Sequence, residues 1–391
     1  MKKFWLLSQF TLLTLTASAF GEEAGCLSAD NNEVARGYVL GEPYRWGKSS
    51  KDCTNCCDPE MNYRLPADYS GLDTFVEYLL WQVQEQASHF AADHTPSTFD
   101  NALPSTYLQG KIRSEGFDWS SGVRLGLGYS FNRDIWQLQA QYTWYKTDGQ
   151  RAYKVQTPLT DGGNFVGSNY LMETLATVTT NGTAKASSSA SFSYQMFDLM
   201  LASSFLATEQ IQFNYAFGST FGYIKENWDV TYIAAPTPSV GSNTYWHNHW
   251  RIGGGGFKVA MDTNWHMGRG FGMFGKVGFS ALLGQYKNRA RATIDGGVST
   301  FGTTQQHTTY EGLMLLPMTQ FIFGFDWCKT FTDCWVSAIK FSVAGEFNHL
   351  SDLQQVFKTT YVDGPTQDKP TSRDVGSVYM YGGTAHFGVD Y

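Results

Sequence analysis

Apolar and polar residues alternate with period two through most of the chain. In FDWSSGVRLGLGYSF the odd positions Phe117, Trp119, Val123, Leu125, Leu127, Tyr129 and Phe131 are apolar, and only Ser121 interrupts the row. Asp118, Ser120, Gly122, Arg124, Gly126, Gly128 and Ser130 fill the even positions. After Asn132-Arg133-Asp134, the apolar set Trp136, Leu138, Ala140, Tyr142 and Trp144 alternates with Gln137, Gln139, Gln141 and Thr143. Alternation of this kind predicts a long antiparallel hairpin with one apolar face and one polar or small face.

The unit recurs. Ile211 to Tyr223 alternates with Gln212, Asn214 and their successors, and Phe257, Val259 and Met261 alternate with Lys258, Ala260 and Asp262. A turn at Gly268-Arg269-Gly270 leads to Phe271, Met273, Val277, Phe279, Ala281 and Leu283, opposite Lys276. Further on, Phe321 to Trp327 precedes Ile339, Phe341, Val343 and Phe347, which alternate with Lys340, Ser342, Ala344 and Glu346. The apolar face changes parity near Met196-Phe197 and at Gly253 to Gly256, where extra residues are expected to form β-bulges.

The pattern predicts ten strands, near 72–84, 117–131, 135–146, 190–206, 211–224, 249–265, 271–284, 312–327, 335–347 and 376–391. More could lie in 147–189, where FVGSNYLMETLATVTT has the character of a hairpin. Short turns at 132–134, 207–210, 266–270 and 328–334 alternate with long polar segments at 85–116, 147–189, 225–248, 285–311 and 348–375. Short periplasmic turns and long external loops are the pattern of a transmembrane antiparallel β-barrel. Tyr391 ends a final strand whose face is continued by Val389, Phe387, Ala385, Tyr381 and Tyr379. An aromatic end of this type is expected to engage the barrel-assembly machinery.

Composition agrees. Charged residues are 16% of the chain, against about 25% in soluble domains, while aromatics reach 16% and glycines number 40. No second apolar run is long enough for a spanning helix. Lys2-Lys3, the apolar run to Phe20 and Ala17-Ser18-Ala19 predict a secretory signal over 1–19, with Ala19-Phe20-Gly21 as an alternative cleavage site. Lipidation at Ala24-Gly25-Cys26 is disfavoured, because Glu23 stands where an aliphatic residue belongs. Loss of Lys2 and Lys3 takes the formal charge from -7 to -9, and an acidic chain without a basic stretch argues against nucleic acid as a partner. The expected organisation is a signal over 1–19, a Cys-containing periplasmic segment over 20–71 and a barrel over 72–391.

Candidate chemistry is sparse. Cys328 and Cys334 flank a predicted turn, so a disulfide clamping that hairpin is expected in an oxidising compartment. Cys53, Cys56 and Cys57 favour disulfides with one another, with Cys26 or between molecules, since adjacent Cys56-Cys57 would crowd a zinc site. His247 and His249 share one side of a strand but have no nearby acid or thiol in sequence, and Asp93-His94 is a single dipeptide. There is no G-x-S-x-G, and Gly253 to Gly256 lacks the helix and lysine of a phosphate loop. Neither an enzyme nor a metal or cofactor site is expected.

Function should therefore lie on the inward face. Arg124, Gln137, Gln139, Gln141, Gln212, Asn214, Lys258, Asp262, Lys276, Lys340 and Glu346 oppose the apolar rows. A charge facing lipid at mid-membrane costs about 2–4 kcal/mol, which directs these side chains into the lumen. They either form a satisfied polar plug or line an aqueous path.

LDTFVEYLLWQVQE, YAFGSTFGYIKENWDVTY, GGGGFKVAMDTNWHMGRGFGMFGKVGFSALLG and the earlier CTNCCDP resemble the chlamydial major outer membrane protein-like family and the related Legionella-type pore-forming outer-membrane proteins, over residues 50 to 391. The resemblance implies a general porin and allows an oligomer disulfide-linked into the envelope. It implies no catalytic residue. Size departs from that pattern, because general porins have about 16–18 strands, and ten imply a constricted lumen. The alternative is a narrow structural or adhesive barrel whose external loops do the work.

Overall fold

The computed structural model describes residues 71–94, 112–131, 136–154, 165–168, 183–208, 210–234, 243–295, 304–331, 335–359 and 371–391. The strands are β1 (Gly71–Glu85), β2 (His89–His94), β3 (Ile112–Ser114), β4 (Ser120–Ser130), β5 (Trp136–Lys154), β6 (Phe165–Ser168) and β7 (Thr183–Leu206). They continue as β8 (Ile211–Ala234), β9 (Asn243–Gly268), β10 (Phe271–Asp295), β11 (Thr304–Thr330), β12 (Ala338–Thr359) and β13 (Thr371–Asp390). The signal, the Cys26, Cys53, Cys56 and Cys57 segment, and Cys334 all lie outside the described residues. Cys328, at the end of β11, forms no disulfide with another described residue.

Ten long strands close a ring. β1 pairs with β4 and β13, β5 with β4 and β7, and the sequence β7 to β13 runs through neighbours. Every pairing is antiparallel. Closure leaves the ring without an edge, so its backbone groups can be satisfied in lipid. The expected extra strand in 147–189 is β6, but it stays outside the ring with β2 and β3.

The strands are longer than the sequence pattern indicated. Several segments read as external loop continue the ladder in part, as in β8, which runs to Ala234, and β10, which runs to Asp295. The two expected bulges are absent: register runs unbroken through Met196-Phe197 and through Gly253 to Gly256. The parity change has a different cause. Along β8, the outward residues Tyr215, Phe217, Phe221 and Tyr223 are exposed, whereas higher up the inward Ile224, Trp228, Val230 and Tyr232 are buried. β9 behaves alike, with Phe257, Val259 and Met261 outward and Trp246, Trp250 and Ile252 inward. The lower barrel faces hydrocarbon and the upper barrel faces water. The apolar side of β8 and β9 therefore changes from outside to inside without an inserted residue, whereas β12 shifts register between Leu350 and Gln354. Phe117, placed by its parity in the outward row, is instead buried, because it lies in the upper region and packs edge-on against Phe192.

Two local features fix this wall. Gly268, Arg269 and Gly270 all have positive φ, 102°, 52° and 86°, which gives the β9–β10 turn its tight reversal and explains two glycines there. Where the apolar face changes sides, Gly222, Gly254 and Gly284 are register partners on three adjacent strands. A Cβ on Gly254 would lie 2.2 Å from the Leu283 carbonyl oxygen, so β9 and β10 approach too closely there for any side chain. Gly275 on β10 has its nearest atom at 4.0 Å, from Phe323. Gly254→Ala is thus expected to lower stability by about 1–3 kcal/mol through overpacking, whereas Gly275→Ala should be tolerated. Denaturant midpoints of the refolded barrels measure the difference, and equal midpoints would refute the close approach.

Candidate functional site

The polar rows lie on the side of the ring opposite its exposed apolar residues, and most of their members join bonded groups. At the periplasmic end, Gln139 donates to Gln137 at 2.7 Å, and Gln137 donates to Asp73 at 2.7 Å. Gln212 donates to Asn214 at 2.9 Å, and Asn214 donates to Asp262. Lys276 is the register partner of Asp262, and Lys340 pairs with Asp390 at 2.8 Å. Apart from the buried Asp390, these side chains are partly exposed, as is Gln141. They form a polar vestibule of mixed sign that water can reach from below.

Midway, the lumen closes on an ion-pair cluster. Arg124 is only 4% exposed and reaches Glu346 at 2.8 Å with Nη2 and Glu77 with Nη1, while its Nε donates to Thr143 at 3.1 Å. Glu346 also accepts from Gln320 at 2.7 Å and Asn348 at 3.0 Å, and His386 lies 3.1 Å from Glu77. Beside this cluster, Lys258 pairs with Asp198 at 2.7 Å, and Thr220 donates to the same carboxylate at 2.6 Å. Arg124 thus bridges β4, β1 and β12 across the lumen. Charge-assisted bonds saturate both of its partners, which is what permits full burial.

Glu77, Asp73, Asp198, Gln320 and Asn348 were missed from sequence. The parity of LDTFVEYLLWQVQE carried the signal for two of them, since Asp73, Glu77, Leu79 and Trp81 share one face. Asp198 was hidden beside the parity change in β7.

Above the cluster the lumen is filled. Leu79, Trp81, Phe117, Tyr145, Phe192, Trp228, Trp246, Trp250, Tyr286 and Leu353 are buried together. Arg124 lies 5.5 Å from the Trp81 ring centroid, which couples the charged layer to this core. Trp228 meets Trp246 edge-on at 4.9 Å, and the Trp228 indole donates to Ser188 at 2.7 Å. Within this core, above the membrane span, the carboxyls of Glu85 of β1 and Glu226 of β8 interact with each other, with Glu115 nearby. Gln354 of β12 donates to Glu85 at 2.7 Å, and the Trp250 indole of β9 donates to Glu226. Burial raises the Glu85 carboxyl well above its ordinary value, and the Glu226 charge adds to the rise. Burial likewise pushes Glu226 up to about 8, opposed by the bond it accepts from Trp250 and aided by the Glu115 charge. The pair keeps at least one proton at neutral pH.

His247 and His249 share the outward side of β9 as expected. Each is closed by a neighbour on β8, Asp229 for His247 and Asn227 for His249. Among the described residues, no group of three or more His, Cys, Asp or Glu could hold a metal. The side chains of Asp93 and His94 lie outside the described set.

A closed antiparallel ring with an apolar belt outside and charges inside defines a β-barrel of the bacterial outer membrane. The family model described as Legionella pneumophila major outer membrane protein precursor matches residues 64–343, and the chain belongs to that family. No curated protein matches it. Among solved structures, the chain is similar to the outer membrane protease OmpT from Escherichia coli, at 10% identity and a TM-score of 0.36, covering 82% of this chain and 96% of that one. It is also similar to a Pseudomonas aeruginosa FadL homologue, at 8% identity and a TM-score of 0.24, covering 83% and 90%. A third likeness is to the Pseudomonas putida toluene transporter TodX, at 8% identity and a TM-score of 0.26, covering 82% and 90%.

Two outcomes follow from the lumen. Arg124→Ala leaves two buried carboxylates without their partner and should destabilise the barrel by about 3–5 kcal/mol; a denaturation midpoint unchanged from wild type would show that the cluster bears no stability. The upper core should respond to pH. Both carboxyls have raised values, so folding retains protons that the unfolded chain releases. Their contribution is complete below about pH 4.5 and is lost as pH rises through the folded value, about 8 for Glu226. Hydrogen exchange of the upper β8 and β9 amides, corrected for intrinsic rate, should show more protection at pH 5 than at pH 9. Glu226→Gln should flatten that difference, and greater protection at pH 9 would refute it.

Proposed function

We propose that this barrel is a porin for weakly selective passage of small hydrophilic solutes and ions, closed in the conformation described. The supporting observation is the periplasmic vestibule, where Gln137, Gln139, Gln141, Gln212, Asn214, Asp262 and Lys276 keep partial contact with water on the lumen side. A barrel that served only as a wall would gain by filling that volume with apolar side chains. In this reading, the Arg124 cluster is the constriction and the aromatic core above it is the gate. Passage requires Arg124 to exchange partners between Glu77 and Glu346, which already share it. Lumen charges of both signs select weakly, whereas a ring of one sign selects strongly for counter-ions.

The reading assigns no catalytic residue, metal or cofactor. It gives the chain the outer-membrane lipids and, through Tyr391, the barrel-assembly machinery as partners, and it leaves room for a disulfide-linked homo-oligomer. A second reading, a structural or adhesive barrel with a permanently closed lumen, draws its support from the aromatic core that fills the upper barrel.

Single-channel recording in planar bilayers separates the two. The porin reading expects small conductance steps. Lys276→Glu with Lys340→Glu should move reversal potentials toward cation preference, while the lipid-facing Phe341→Leu should leave them unchanged. A folded barrel that stays silent under all these conditions supports the closed structural reading.

A further inference from the structure

The outward face just above the apolar belt is not uniform around the ring. On β8, β9 and β10 the first polar row after Tyr223, Gly253 and Gln285 is Lys225, Arg251 and Lys287, which are register partners. The next rows place His249 beside Arg289 and His247 beside Arg291. Arg251, Arg289 and Arg291 are exposed, and Lys225 and Lys287 partly so. Two acids face this group: Glu311 pairs with Lys287 at 3.2 Å, and Asp229 pairs with His247. No acid among the described residues pairs with Lys225, Arg251 or Arg289. At this level β7 presents Ser187, Ser189 and Ser191, and Lys146 of β5 lies 3.9 Å from Asp148. Relative to β5 and β7, the positive charge is therefore concentrated across these three strands, a width of about 10 Å.

Its height identifies what it meets. Tyr223 and Leu283 end the exposed apolar rows, and the inward side becomes apolar immediately above. The cations thus stand at the headgroup level of the outer leaflet, beside acyl chains that cover the belt. Soluble anions have no reason to select that height, whereas an amphiphile with phosphate on its head and hydrocarbon below satisfies both surfaces at once. Arginine favours phosphate through its planar fork of donors. Burial holds His249 below its ordinary value and the Arg251, Lys225 and Arg289 charges reinforce the shift, as a positive field does to an imidazolium, so the sector's charge is carried by its Lys and Arg side chains.

We propose that Lys225, Arg251, Lys287, Arg289 and Arg291 form a docking surface for the phosphorylated head of an outer-leaflet glycolipid. Its acyl chains would lie against the apolar belt beneath, on the side of Phe257 and Leu283.

Native mass spectrometry and titration of the full barrel in neutral detergent test this, with diphosphorylated lipid A, dephosphorylated lipid A and inorganic phosphate as probes. Wild type should retain the diphosphorylated form. Removing three arginine charges as Arg251→Gln/Arg289→Gln/Arg291→Gln should weaken that binding on the order of 100-fold. Arg251→Lys/Arg289→Lys/Arg291→Lys should keep most of it, and an equal loss of charge elsewhere, Lys146→Gln/Lys185→Gln/Lys329→Gln, should leave it unchanged. Equal retention of the dephosphorylated lipid by wild type would overturn the proposal without any variant. Displacement by equimolar inorganic phosphate, or equal loss in the control triple, would also overturn it, by reducing the site to a general attraction of anions.

Discussion

A strand of 24 to 27 residues, such as β7 to β11, is far longer than the 9–11 residues needed to cross a bilayer at barrel tilt. Below the headgroups its outer side must be apolar and its inner side can be wet. Above them the requirement is reversed. β8 to β11 obey both halves of this condition with the register unbroken where the faces change. The two interiors follow from it, a polar vestibule within the hydrocarbon span and an aromatic core above it.

The Arg124 cluster sits where these interiors meet, and its position has a physical reason. Below it, polar side chains can bond to lumen water. Above it, Trp81 and its neighbours exclude water. A guanidinium at that boundary needs acceptors from protein alone, and Glu77 and Glu346 supply them from two other strands. The same cluster therefore stabilises the closed ring and blocks the path through it. The glycines of the Gly222, Gly254 and Gly284 row thin the wall at nearly the same level, which lets the upper side chains begin packing inward at once.

Much of this was legible in the chain. Ten strands, their lower faces and the inward position of Arg124, Lys258, Asp262 and Glu346 follow from period-two alternation, because lipid tolerates no exception on its side. The upper halves were misread because their outward residues, such as Lys225, Asn227 and Asp229, resemble loop composition when the inward Trp228 and Tyr232 are not seen as one row. The parity changes at Met196 and Gly253 were attributed to bulges for the same reason: alternation reports a face, but not which solvent that face meets. Glu77 was overlooked because it shares β1 with the apolar residues that open the upper core. The short strands β2, β3 and β6 have too few residues for any period to register.

Strand extension beyond the lipid has a mechanical effect on everything attached to it. About ten further residues of tilted, hydrogen-bonded strand raise the roots of the external loops roughly 20 Å above the hydrocarbon. Over β7 to β11 that section is a continuous hydrogen-bonded wall with its own dry filling, so forces from above reach the bilayer only through a stiff collar. The loops are free to change length and chemistry without disturbing the seal between barrel and membrane. The cell surface is thereby given a pedestal, with its variable parts held clear of the anchoring layer.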